Sequence, residues 1–149
     1  MKILVQKGAD ITAQDEEGST PLHKAAYSGQ AKVIQYLIEN GAEVDCQDAD
    51  DGTPLHNACF NGHFECVKIL LANQANLNCA DDRGASPLHL SVLNGHKDVA
   101  ILLVKSGSQV DAPDDRGMTA MHHAIAHTNC LQFLIDQVTS YGFLLEFLF

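Results

Sequence analysis

Positive charge is scarce in this chain. Its 9 lysines and arginines face 19 aspartates and glutamates, leaving a net charge of −10. Nucleic acid is thereby excluded as a direct ligand, because phosphate neutralisation needs clustered basic residues. Long apolar runs are missing too. The opening MKILVQKGAD has only Ile3 to Val5 before Gln6 and Lys7, too short for the apolar region of an export signal, and no run reaches the roughly 18 residues of a membrane span. With five cysteines, an odd number, and no such signal, the thiols are expected to stay reduced in a cytosolic or nuclear compartment. Catalytic signatures are lacking as well: no glycine loop to cradle phosphate, no serine in a nucleophile elbow, no HExxH. Carboxylates are plentiful but fall in turns, where no pocket desolvates one for acid–base work. A non-catalytic protein without cofactor is expected.

What is present is a period. Thr20-Pro21-Leu22-His23 returns as Thr53-Pro54-Leu55-His56, Ser86-Pro87-Leu88-His89 and Thr119-Ala120-Met121-His122, each 33 residues after the last. Asp15, Asp48, Asp81 and Asp114 share one column, Ala25, Ala58, Ser91 and Ala124 another, and Gly29, Gly62 and Gly95 a third. The threonines and serine can cap free helical N–H groups, and a proline just after them sits where its missing N–H costs nothing. Glycine seven or eight residues on ends that helix, and Val33, Ile34, Leu37 and Ile38 open a second apolar pattern with helical spacing. Each unit therefore reads as two short antiparallel helices followed by a polar turn. Such a unit cannot bury its own apolar face, so neighbours must stack into a linear array.

The 33-residue period and its TPLH tetrapeptide resemble the ankyrin-repeat family over about the first 135 residues. The resemblance implies an all-α solenoid of helix-turn-helix units joined by hairpin-like loops. The expected organisation is a partial repeat (second helix and loop) at 1–14, repeats at 15–47, 48–80 and 81–113, a degenerate fourth at 114–140, and an apolar tail at 141–149. It also implies that His23, His56, His89 and His122 are structural, their ring nitrogens bridging backbone groups of adjacent loops. Metal is a poor alternative for them, since stacked helices lie about 8–10 Å apart whereas zinc needs its ligands within about 2 Å. A second candidate is His123, His127 and Cys130, which share one helical face, and so could hold zinc, if that helix runs without a break. The plainer reading is a degenerate last repeat, with Thr128 replacing the terminating glycine and a one-residue deletion aligning Leu131 to Ile135 with Val99 to Leu103. Cys46 and Cys79 fall in a column with Ala13 and Ala112, Cys59 with Ala26 and Cys66 with Val33, all small or apolar positions too far apart to bridge.

Family resemblance also implies a role, binding another protein, and a surface. Its concave face is lined by columns occupied here by Tyr27, Phe60 and Leu93 and by Lys24, Asn57 and Leu90. Aromatics there are typical interface anchors, unless part of each ring packs into the neighbouring repeat as core. Charge is sorted alongside them. The windows 8–20, 41–53, 74–86 and 107–119 hold 14 of the 19 acids and, as bases, only Arg83 and Arg116. Some of these acids cap turns. The surplus, Glu16, Glu17, Asp50, Asp51, Asp82 and Asp115, would steer a cationic partner segment or simply keep the protein soluble. The expected partner segment carries both basic and apolar residues. A rival role is that of a spacer or targeting module beside a catalytic domain elsewhere in a longer protein.

Both ends depart from the pattern. Leu4 and Val5 match Leu37 and Ile38, so Met1 enters within a second helix, as in a fragment of a longer array or an imperfect cap. The tail from Gly142 to Phe149 follows no column; it is expected to fold back over repeat four, with a partner, a membrane surface or a truncated end as alternatives. No residue pattern fixes an oligomeric state. One internal flaw remains: Gln74 replaces the glycine of Gly8, Gly41 and Gly107, and Asn73 is expected to take the left-handed conformation in its stead.

Overall fold

The computed structural model describes residues 10–146, with side chains as far as Gln137. Most of the partial repeat at 1–14 thus lies outside the described residues, as do the tail's side chains and any cover they provide. Eight α-helices and one 3₁₀ turn are present among the described residues, and no strand: α1 (Pro21–Tyr27), α2 (Ala31–Glu39), α3 (Pro54–Phe60), α4 (Phe64–Ala72), α5 (Pro87–Leu93), α6 (Lys97–Lys105), α7 (Ala120–His123), the turn Ala124–Ala126, and α8 (Thr128–Glu146). Each first helix packs on the next first helix and each second on the next second, so α1, α3, α5 and α7 form one row and α2, α4, α6 and α8 the other. This is the all-α solenoid implied by the period.

Local chemistry sets these boundaries. Thr20, Thr53, Ser86 and Thr119 are extended and offer a side-chain oxygen to the N–H of the motif histidine. Proline follows at three of the four starts with its φ already helical. Gly29, Gly62 and Gly95 end the helices at φ of 70°, 70° and 75°, and the next residue's N–H reaches back five residues, as Gln30 to Ala25 at 2.9 Å and His96 to Ser91 at 2.8 Å. The core runs the length of the array: Leu22, Leu55 and Leu88 are fully buried between the rows, beside Leu37, Leu70 and Leu103. Burying each contributes about 2 kcal/mol.

Three details differ from expectation or add to it. The fourth repeat lacks two residues rather than one. Cys130 and Leu134 fill the buried positions of Val99 and Leu103, a shift of 31 residues, and His127 occupies the place of His96 just before the second helix. Asn94 and Gly95 are the pair without a counterpart, so α7 closes through a tight 3₁₀ turn instead of a left-handed glycine. After α4, Gln74 itself is left-handed at φ 65°, while Asn73 stays at φ −101°; Asn73 instead turns its side-chain amide onto the Ile69 carbonyl at 2.8 Å. Lastly, Ser108 stands where Ala42 and Ala75 stand in earlier repeats, and its buried hydroxyl has no hydrogen-bond partner among the described residues.

Candidate functional site

The motif histidines join repeats. His23 accepts the Thr20 N–H at Nδ1 (3.2 Å), which leaves Nε2 as the protonated nitrogen, and Nε2–H donates to the Gly52 carbonyl of the next loop at 3.0 Å. His56 repeats this with Thr53 (3.1 Å) and Ala85 (3.1 Å), and His89 with Ser86 (3.1 Å) and Met118 (3.2 Å). Burial holds His56 and His89 below the usual imidazole pKa, as suits rings whose Nδ1 must remain an acceptor. His122 keeps only the first half of the arrangement, accepting from Thr119 at 3.1 Å, and is exposed.

A second set of histidines, of which the sequence singled out only His127 and that as a zinc candidate, works in the opposite direction. Nε2 of His63, His96 and His127 lies 3.0, 3.0 and 3.1 Å from the carbonyls of Tyr27, Phe60 and Leu93 in the preceding repeat. Their rings lie over Gly29, Gly62 and Gly95, where a Cβ would collide with them. Glycine is therefore needed for space as well as for its positive φ. The 33-residue interval from His63 to His96 was the available signal.

The zinc reading of His123, His127 and Cys130 fails on geometry, because the helix that was to align them is broken. His123 ends α7 with Nε2 2.8 Å from Asp114 Oδ2, His127 sits at the break after the 3₁₀ turn, and Cys130 is buried inside α8. Among the described residues no three His, Cys, Asp or Glu side chains are grouped to hold a metal. Nor are the cysteines poised as nucleophiles: burial pushes the thiols of Cys46, Cys59, Cys66, Cys79 and Cys130 upward in pKa, that of Cys59 most.

Tyr27, Phe60 and Leu93 end the first helices and are 55%, 42% and 44% exposed, so they are not core. Beside them Lys24 is exposed, while Asn57 and Leu90 are half-buried. The column aspartates are structural: Oδ1 of Asp15, Asp48, Asp81 and Asp114 each accepts two N–H groups of its own turn. In Asp114 the Met118 N–H, then His123, hold the carboxyl down to about 2. Successive turns are laced together by backbone bonds, from the Ala49 N–H to Glu17, Asp82 to Asp50 and Asp115 to Arg83, at 3.0, 2.9 and 3.1 Å. The surplus acids Glu16, Glu17, Asp50, Asp51, Asp82 and Asp115 all point into solvent. Two of them have cationic neighbours, Glu17 with Lys24 at 3.4 Å and Asp82 with Arg83 at 3.7 Å.

No helix among the described residues is long and apolar enough to cross a membrane. No curated protein matches the chain. A family model for ankyrin repeats (3 copies) matches residues 1–81 and 73–142. Repeats of this kind generally mediate protein–protein interaction and are typically non-catalytic. With that match covering nearly its whole length, on a stack of helix pairs tied by the TPLH histidines, the chain belongs to the ankyrin-repeat family.

Proposed function

We propose that this protein is a non-catalytic scaffold that binds a segment of another protein, in the cytosol or nucleus, through the exposed row Tyr27, Phe60 and Leu93 and the acidic turn tips beside it. One observation carries the reading. Three large apolar side chains at equivalent positions stand in solvent on backbones fixed from behind by His63, His96 and His127. A rigid, spaced apolar row lowers the entropy lost on binding, which is what an interface anchor requires. Acids along the same edge favour a segment that carries lysine or arginine among its apolar residues, and they make its capture sensitive to salt.

The test is affinity capture from cell extract with wild type beside two variants, Tyr27→Ala with Phe60→Ala, and Asp50→Lys with Asp51→Lys. Truncating two anchors should weaken capture by about tenfold or more, and reversing charge at the tips should weaken it most at low salt. Folded variants that retain every partner would show that the surface lies elsewhere.

A further inference from the structure

We infer that the cleft between the second and third repeats is a seat for one lysine or arginine side chain carried on an apolar segment of the partner protein. This rests on the protein-binding reading above and assigns the register of that segment. The contact is already made twice within the chain. In the first repeat Lys24, the residue after the motif histidine, places Nζ 2.8 Å from Asp15 Oδ2. In the fourth His123, at the same position, places Nε2 2.8 Å from Asp114 Oδ2. In all four repeats Oδ1 of the turn aspartate is taken by two backbone N–H groups, which fixes the carboxylate and leaves the second oxygen unused by the turn.

The two middle repeats keep the aspartate and lack the side chain that meets it. Asn57 and Leu90 stand where Lys24 and His123 stand, and Oδ2 of Asp48 and Asp81 has no hydrogen-bond or ion-pair partner among the described residues. Both aspartates line one cleft of about 150 Å³, together with Asp50, Asp82, Phe60 and Leu90. A run of acids alone specifies nothing. Here, however, the equivalent carboxylate holds a lysine ammonium in the first repeat and an imidazole nitrogen in the fourth, and Leu90 supplies a hydrocarbon wall for the stem of a long basic side chain. The half-exposed Phe60 ring lines the same cleft, where an aromatic surface favours the charged end. Arg83 also borders the cleft, but its Nε lies 3.7 Å from Asp82 on the rim and its side chain is 81% exposed, so it competes with an incoming cation without reaching Asp48 or Asp81.

The test is an NMR titration of the full chain with two capped peptides, Leu-Arg-Leu-Leu and Leu-Gln-Leu-Leu, read at the amides of Asn57, Phe60 and Leu90. The arginine peptide should give saturable shifts with a Kd on the order of 1 mM, and the glutamine peptide should bind about tenfold more weakly. Asp48→Asn with Asp81→Asn keeps the Oδ1 acceptors, hence the turns, and should abolish that preference. Asn57→Lys gives the second repeat the lysine of the first and should displace the arginine peptide by filling the seat internally. Equal response to the two peptides, no saturable shift, or a preference that survives either variant overturns the seat. If the Asp48 and Asp81 variant still captures partners that the Tyr27 and Phe60 variant loses, the seat is wrong and the scaffold reading stands; if neither variant alters capture, both are wrong.

Discussion

The third and fourth repeats carry the same motif, yet they use its histidine differently. His89 is buried, with Nδ1 on Ser86 and Nε2–H on the Met118 carbonyl of the next turn. His122 makes the same cap with Thr119, but it is exposed, and among the described residues no carbonyl receives its Nε2–H. The imidazole is worth most as a bridge between repeats and little as a cap within one. Truncation exposes that difference. His89→Ala leaves the Ser86 N–H and the Met118 carbonyl without partners and opens a cavity, costing about 3 kcal/mol, whereas His122→Ala should cost about 1 kcal/mol. Urea unfolding of the two variants checks this, and equal losses would mean that the bridge carries no special weight.

Acid extends the same contrast to the interior. Burial lowers the pKa of His56 and His89 in the folded chain below their ordinary 6.5. A ring whose folded value is depressed favours folding fully above the unfolded value, and that contribution is lost as pH falls through the folded value. A proton at Nδ1 would also face the N–H of Thr53 or Ser86. The urea midpoint should therefore drop between pH 7.5 and 5.5, and His89→Ala should remove part of the drop. Asp114 acts in a separate window: with a folded pKa of about 2 against 3.8, its contribution is present above 3.8 and disappears only as pH falls through 2. A midpoint that is flat from pH 7.5 to 5.5 would count against the neutral bridge.

How far the sequence disclosed this molecule follows from what each feature depends on. Repeat register and helix starts are local and recur four times, and glycine stops three times, so the columns led directly to α1 through α6. Position across the stack is not local. Nothing in the order of residues says that His63 and His96 reach back to the previous repeat, because that depends on how one unit rides on another. The contacts of Lys24 with Asp15 and of His123 with Asp114 lie within one repeat, but they depend on how its turn folds against its first helix. The fourth repeat misled for a related reason. An alignment of apolar letters accepts a one-residue deletion, whereas three-dimensional closure removes both Asn94 and Gly95 equivalents. That change carries Ile125 to 66% exposure, although its column mates Ala26, Cys59 and Val92 are fully buried.

The smallest effect concerns two side chains standing where sister repeats have left-handed glycines. Gln74 at φ 65° replaces the glycines at 41 and 107, and Asp51 at φ 57° replaces those at 18, 84 and 117. A left-handed residue with a Cβ costs about 1–2 kcal/mol, while glycine's extra freedom in the unfolded chain returns about 0.4–1 kcal/mol of that. Gln74→Gly should thus stabilise by about 0.5–1 kcal/mol. Aspartate tolerates this conformation better than glutamine does, because its short side chain satisfies local backbone groups, so Asp51→Gly should gain less. Amide exchange gives the sharper reading. Residues 72–76 should exchange faster than 40–44 in the wild type, and Gln74→Gly should close that gap. If the two turns already exchange alike, glutamine sits there without strain, and the second repeat is as firmly joined as the first.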